Sequence, residues 1–334
     1  MKKRPTKAER MALDETPWDE DEDPAARRRE RQELIYHKLK DRPTGFLVDR
    51  LGARHCLLTK SPPPVANTKD DNARQSLGVA LTKPKQVSCA KDEDEVHQWM
   101  AAVHEHSPWM GPVSVHVMEN ALRRVRSGTR VIGFDPVLVH GEPGIGKTHY
   151  ARALADSMGL PVLVLDGASM ISGFQVSGLE RGWSGACASP IVRLIAETGI
   201  ANPVVIVDEA DKIPPESARG GTAHHALLGM MEPVSAGRWR CPYTEMVLDL
   251  RGVSWFLTAN DPALVAAPLK DRCRVIRAQA PTAKDVDAYV RARMRGHSPE
   301  IVHLTAKAAA GKSLRKVGRI VDAVIAAGSR PILN

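Results

Sequence analysis

The eight residues Gly141-Glu142-Pro143-Gly144-Ile145-Gly146-Lys147-Thr148 restrict the fold of this chain more than any other stretch. They follow a short apolar run at 137–139 and open a segment of helical periodicity that continues to Met158. A GxxxxGK[ST] loop between strand and helix turns backbone N–H groups inward around phosphate oxygens, and the helix N-terminus adds the positive end of its dipole. In this setting Lys147 reaches the β- and γ-phosphates of ATP and the Thr148 hydroxyl ligates Mg²⁺. The expected nucleotide-binding set therefore runs from Gly141 through His149.

The residues around this loop are organised to match. Short β-rich runs at 137–139, 161–165, 204–207 and 253–257 alternate with helical segments, the signature of a parallel sheet covered by helices. The run Val204-Val205-Ile206-Val207 ends in Asp208-Glu209, placing two acids at the carboxyl end of a buried strand, where open α/β sheets bind ligands. There Asp208 would complete the Mg²⁺ shell and Glu209 would polarise the attacking water; a solvated strand end is the plain alternative. The expectation is an α/β fold of the P-loop NTPase type, with the nucleotide subdomain at 92–281. From Thr282 onward only helical patterns occur, at 286–294, 301–310 and 314–327, which reads as a small helical lid at 282–334.

Residues 1–91 form an N-terminal arm of unassigned, largely irregular fold. Its first 30 or so residues set the acidic run 19–23 beside Arg27-Arg28-Arg29 with little to bury, and read as a disordered tail. A short helix at 31–39 and an apolar patch at 45–58 follow. Periodicity then fades through Ser61-Pro62-Pro63-Pro64 as far as Lys91.

With 334 residues and 43% hydrophobic content the chain has ample material for a core, and no apolar run approaches the roughly 18 residues of a membrane span. The N-terminus lacks an apolar signal region, so a cytoplasmic location is expected and no membrane partner. Five scattered cysteines without a CxxC pair suggest neither disulfides nor zinc. His104-Glu105-His106 and His224-His225 lack HExxH spacing and read as ordinary surface histidines. A net charge of +8, spread along the chain, is compatible with a nucleic-acid partner.

Taken together, GEPGIGKT, NPVVIVDEADK, LDLRGVSWFLTAND and APLKDRCRVI resemble the AAA+ ATPases, most closely the ATPase module of the Lon protease family, from about residue 108 to 327. The resemblance implies that Asn260 is the polar sensor holding the lytic water or γ-phosphate, although a strand-end turn residue would look the same. It implies that Arg272 is an arginine finger acting on a neighbouring subunit's ATP, with Arg274 a second candidate. In Ser313-Leu314-Arg315-Lys316-Val317 it makes Arg315 the lid residue that touches ATP, against the alternative of a solvated helix face. Residues 177–186 resemble the loop that carries the family's aromatic pore residue, here Trp183, with a local packing anchor as the alternative. Residues 214–222 would form the second pore loop. The partners implied are further copies of the chain in a ring of six and a protein substrate threaded through it. The other readings are a nucleic-acid-associated AAA+ ATPase and an ATP-gated scaffold. The resemblance does not extend to Lon's serine–lysine peptidase or to its substrate-binding domain, so a motor without its own protease is expected.

Overall fold

The computed structural model describes residues 24–40, 47–48, 54–65, 71–214 and 222–328. At its centre lie five parallel strands: β1 (Val137–His140), β2 (Val162–Asp166), β3 (Val204–Asp208), β4 (Ser254–Ala259) and β5 (Arg274–Arg277). Their spatial order is β5-β1-β4-β3-β2. Side chains of a strand alternate between the two faces of its sheet, and both faces here are covered. Val137 and Val139 of β1, Ile206 of β3 and Phe256 of β4 therefore enter one core, while Leu138, Val205, Val207, Trp255 and Leu257 enter the other.

Helices α1 (Pro24–Lys40) and α2 (Asp71–Thr82) precede the sheet, followed by α3 (Glu93–His106) and α4 (Gly111–Arg126). Between strands run α5 (Lys147–Ser157), α6 (Pro190–Thr198) and α7 (Ala223–Met231); the lid comprises α8 (Ala283–Arg293), α9 (Pro299–Ala309) and α10 (Leu314–Gly328). Helices α3, α4 and α5 supply Met100, Val117, Tyr150 and Leu154 to the first core, which the lid joins through Val286, Val290 and Val317. Helices α6 and α7 supply Ile191, Ile195, Leu227 and Met230 to the second. The lid opens on a capping box in which Thr282 and Asp285 exchange side-chain-to-backbone hydrogen bonds, which fixes where α8 starts.

The N-terminal region is more ordered than its sequence suggests. Helix α1 begins at Pro24 rather than near residue 31, because Pro fits the first helical turn and the following Ala, Arg and Glu residues are good helix formers. The rest of the expected tail lies outside the described residues. Helix α2 and the strand Lys85–Val87 carry no readable periodicity, yet Leu81 and Val87 are buried in the second core. That strand runs beside the start of β3's approach: Gln86 N–H donates to Gly199 O (2.8 Å) and Gln86 O accepts from Ala201 N–H (2.8 Å). The buried Asn202 amide closes the seam, accepting from Ser88 N–H and donating to Ser88 O and Ile132 O.

Candidate nucleotide site

The carboxyl ends of β1, β3 and β4 converge on a cavity of about 460 Å³, within the ~300–1,000 Å³ usual for small-molecule sites. The phosphate-loop residues Pro143, Gly144, Gly146, Lys147, Thr148 and His149 form one wall and the lid residues Tyr289, Arg293, Arg315 and Arg319 the opposite one. Asp208, Glu209, Thr258 and Asn260 close the floor. Gly141, Glu142 and Ile145 shape the loop from behind: Lys147 Nζ donates to Gly141 O (2.7 Å) and Glu142 O (3.0 Å), and the Ile145 side chain is in the core.

Hydrogen bonds hold the side chains of Lys147, Thr148, Asp208 and Asn260. Thr148 Oγ1 and Thr258 Oγ1 both donate to Asp208 Oδ1, each at 2.6 Å, so two hydroxyls orient one carboxylate. The same Thr258 oxygen accepts the Glu209 N–H at 3.0 Å. Lys147 Nζ donates to Asn260 Oδ1 at 2.9 Å. Asn260 is fixed in turn by the buried Asp211, whose Oδ2 accepts the N–H groups of Asn260 (3.1 Å) and Asp261 (3.2 Å). Burial pushes the Lys147 pKa down, opposed by the nearby Asp211, Asp208 and Glu209 carboxylates. Burial also lowers the pKa of His149, helped by Arg293 and His106, which favours the neutral imidazole at the cavity wall.

Glu209 sits in the left-handed region at φ 53°, which costs a non-glycine residue about 1 kcal/mol and directs its side chain into the cavity. Room for that turn comes from Gly167, where a Cβ would lie 2.3 Å from Glu209 O and 2.8 Å from Asp208 O. Across the cavity mouth, Trp109 Nε1 donates to Ile145 O (2.9 Å) while its ring meets Tyr289 of the lid edge-on.

Residues 137–280 match the family described as ATPase family associated with various cellular activities (AAA). This stretch is similar to the AAA ATPase domains. The chain is similar to the Lon protease of Frankia alni (34% identity over 211 residues, 61% of this chain and 24% of the relative). It is also similar to Lon protease 1 of Herpetosiphon aurantiacus (32% over 165 residues, 49% and 20%) and to the mitochondrial Lon protease homolog of Rattus norvegicus (31% over 148 residues, 44% and 15%). It thus spans less than a quarter of the length of these relatives, within the region that carries their ATPase module, and the similarity is to a Lon-like AAA module.

The structure gathers the expected AAA residues Lys147, Thr148, Asp208, Glu209, Asn260 and Arg315 around one cavity. Arg272 is elsewhere: its Nε pairs with Glu232 Oε2 at 3.1 Å and its Nη1 donates to Pro268 O, outside its own nucleotide cavity. Arg274 begins edge strand β5 with its side chain exposed. Trp183 stands on the loop between the paired segments Gly178–Leu179 and Cys187–Ala188, 60% exposed, with Gly182 and Gly185 in left-handed conformations on either side. The expected second pore loop at 214–222 falls almost entirely outside the described residues. Sequence reasoning passed over Trp109, Gly167, Asp211, Thr258, Tyr289 and Arg293; only the third acid of the DEADK run and the polar Thr before Ala259-Asn260 signalled two of them. Among the described residues no helix is long and apolar enough to cross a membrane, and no three or more His, Cys, Asp and Glu side chains are grouped to hold a metal ion.

Proposed function

We propose that the chain hydrolyses ATP with Mg²⁺ in a ring of its own copies and uses the energy to draw a polypeptide past Trp183. The oxygens fit a hard divalent cation: Thr148 Oγ1 and Asp208 Oδ1 lie together at the cavity floor beside the phosphate loop. A cation held by Thr148 and Asp208 would neutralise charge on the phosphoryl oxygens. Lys147 then faces the β- and γ-phosphates from the loop, and Arg315 faces them from the lid. The Glu209 carboxylate orients a water for in-line attack and takes up its proton. Asn260, with its oxygen on Lys147 and its backbone on Asp211, keeps its amide N–H₂ free to donate to that water or to the γ-phosphate. Arg272 completes the charge from the neighbouring subunit, consistent with its exclusion from its own chain's cavity.

The observation that carries the polypeptide reading is the exposure of Trp183 on a glycine-flanked loop. A packing anchor would be buried, whereas an exposed indole offers two apolar faces that grip an extended chain without reading its sequence. The test measures ATP turnover of the full chain alone, with carboxymethylated lysozyme as an unfolded polypeptide, and with duplex or single-stranded DNA. Stimulation by the polypeptide that disappears in Trp183→Ala and persists in Trp183→Tyr is the expected result. Stimulation by DNA alone would replace this reading with a nucleic-acid motor. Because Trp183 is exposed, its truncation should change stability by only about 0.5 kcal/mol. A large fall in melting temperature would return Trp183 to a packing role.

A further inference from the structure

The Trp183 loop is tied to a segment that precedes the AAA domain. Arg181, two residues before Trp183, donates from Nη2 to Asp71 Oδ2 at 3.1 Å. Asp71 is the first residue of α2 and is 6% exposed; its other oxygen lies 3.6 Å from Nε of Arg74, which is 4% exposed. Arg74 reaches further, to Glu245 Oε2 (3.4 Å), and Glu245 pairs with Arg240 (3.7 Å). Glu245 and Arg240 belong to a second hairpin, built on the antiparallel pair Trp239–Arg240 and Val247–Leu248. One chain of charges therefore joins α2 to two hairpins that share no backbone pairing with each other.

The anchor end of this chain is rigid. Leu81 is completely buried, α2 packs against α6, and the Gly78 backbone lies so close to Pro64 that a Cβ there would sit 2.2 Å from its ring. The other end is more open, since residues 180–185 are exposed and the Arg181 side chain is about half exposed. We infer that Asp71 is a positioning residue for the Trp183 loop, so that the region before the AAA domain sets how the loop meets a polypeptide without touching nucleotide. A buried carboxylate between two guanidiniums suits this role. Arg74 stays beside the Asp71 carboxylate when the loop lets go, so Arg181 can leave and return without stranding a buried charge.

The inference depends on the polypeptide reading only for its functional consequence, and the test separates the two. Asp71→Asn disturbs Arg74 as well and can compromise folding, so the leading variant is Arg181→Gln, with Arg181→Lys as the charge-preserving control. Hydrogen–deuterium exchange on the full chain should show amides at 180–186 opening about tenfold more readily in Arg181→Gln, with the phosphate loop at 141–148 unchanged and Arg181→Lys close to wild type. Unchanged exchange at 180–186 overturns the inference whatever the substrate is. With carboxymethylated lysozyme as probe, Arg181→Gln should raise the concentration for half-maximal stimulation about tenfold, equivalent to 1.4 kcal/mol, and leave basal turnover unaltered. In the Asp71→Asn, Arg181→Gln double variant the effects should be less than additive. Additive effects would mean that Arg181 contacts the polypeptide directly and is not positioned by Asp71. Faster exchange in a protein whose wild type is never stimulated by polypeptide would keep the positioning role and remove the gripping one.

Discussion

Gly167→Ala tests the proposed catalytic arrangement at a residue outside the cavity lining. The added methyl would lie 2.3 Å from the Glu209 carbonyl oxygen, against an ordinary carbon–oxygen approach of about 3.3 Å, and 2.8 Å from Asp208 O. Both obstructing atoms are backbone, so the end of β3 must retreat by about 1 Å. Glu209 already occupies a left-handed conformation and has little freedom to absorb the shift by rotating. A misplacement of this size at a water-orienting group can cost about 10²-fold in rate, or 2.7 kcal/mol of transition-state stabilisation. Overpacking itself should cost about 1–3 kcal/mol of stability, a melting-temperature drop of several degrees. Steady-state ATP turnover, nucleotide affinity and thermal denaturation on one preparation check the reasoning. The expected result is a folded protein with near-normal affinity and a kcat lower by about 10²-fold. Wild-type kcat in a folded Gly167→Ala protein would refute the assignment of Glu209 as the water-orienting residue.

Lys147→Ala should abolish ATP binding and Glu209→Gln should bind ATP without turning it over, both read by equilibrium binding and phosphate release; normal turnover in Glu209→Gln would exclude its assigned role. Arg272→Ala should keep its affinity yet lose about 10³-fold in kcat. Mixing it with Glu209→Gln should restore part of the activity in mixed rings, where an intact finger faces an intact water-orienting carboxylate, and no recovery in demonstrably mixed rings counts against a finger at Arg272. Thiol titration at pH 8 should show one fast cysteine: Cys187 is exposed, Cys241 is fully buried, burial pushes Cys56 and Cys273 up to about 12, and it raises Cys89. Cys187→Ser should remove the fast phase, and a second fast thiol would contradict the burial.

Four of the five central strands and all three lid helices were legible in the sequence, to within a few residues. A strand buried on both faces is a continuous apolar run, and a lid helix repeats its apolar stripe. Strand β5 escaped because it lies at the sheet edge with only Ile276 buried among exposed neighbours, so Arg274-Val275-Ile276-Arg277 looks like loop. Helix α2 escaped for the opposite reason. Its buried face includes Asp71 and Arg74, which hydropathy counts as surface, although their ion pairs and the bond from Arg74 to Val65 O suit them to the interior. Within the site, local motifs pick out Lys147, Thr148, Asp208, Glu209 and Asn260, which the structure gathers around one cavity. The residues that hold those groups come from distant parts of the chain, as with Gly167 beside Glu209, which no local pattern marks; Asp211 and Thr258 stand inside runs that do carry a signal.

The indole of Trp109 gives the lid an optical readout that needs no added label. One edge of the ring is pinned by its N–H to the phosphate-loop carbonyl of Ile145, and Tyr289 of α8 approaches the ring at 65° with 6.4 Å between centroids. A swing of α8 that follows nucleotide removes an aromatic neighbour from a fluorophore that the loop itself keeps in place. The emission of a variant retaining only this tryptophan would therefore follow the hinge in real time, separating closure of the lid from breakage of the phosphate bond as two kinetic phases.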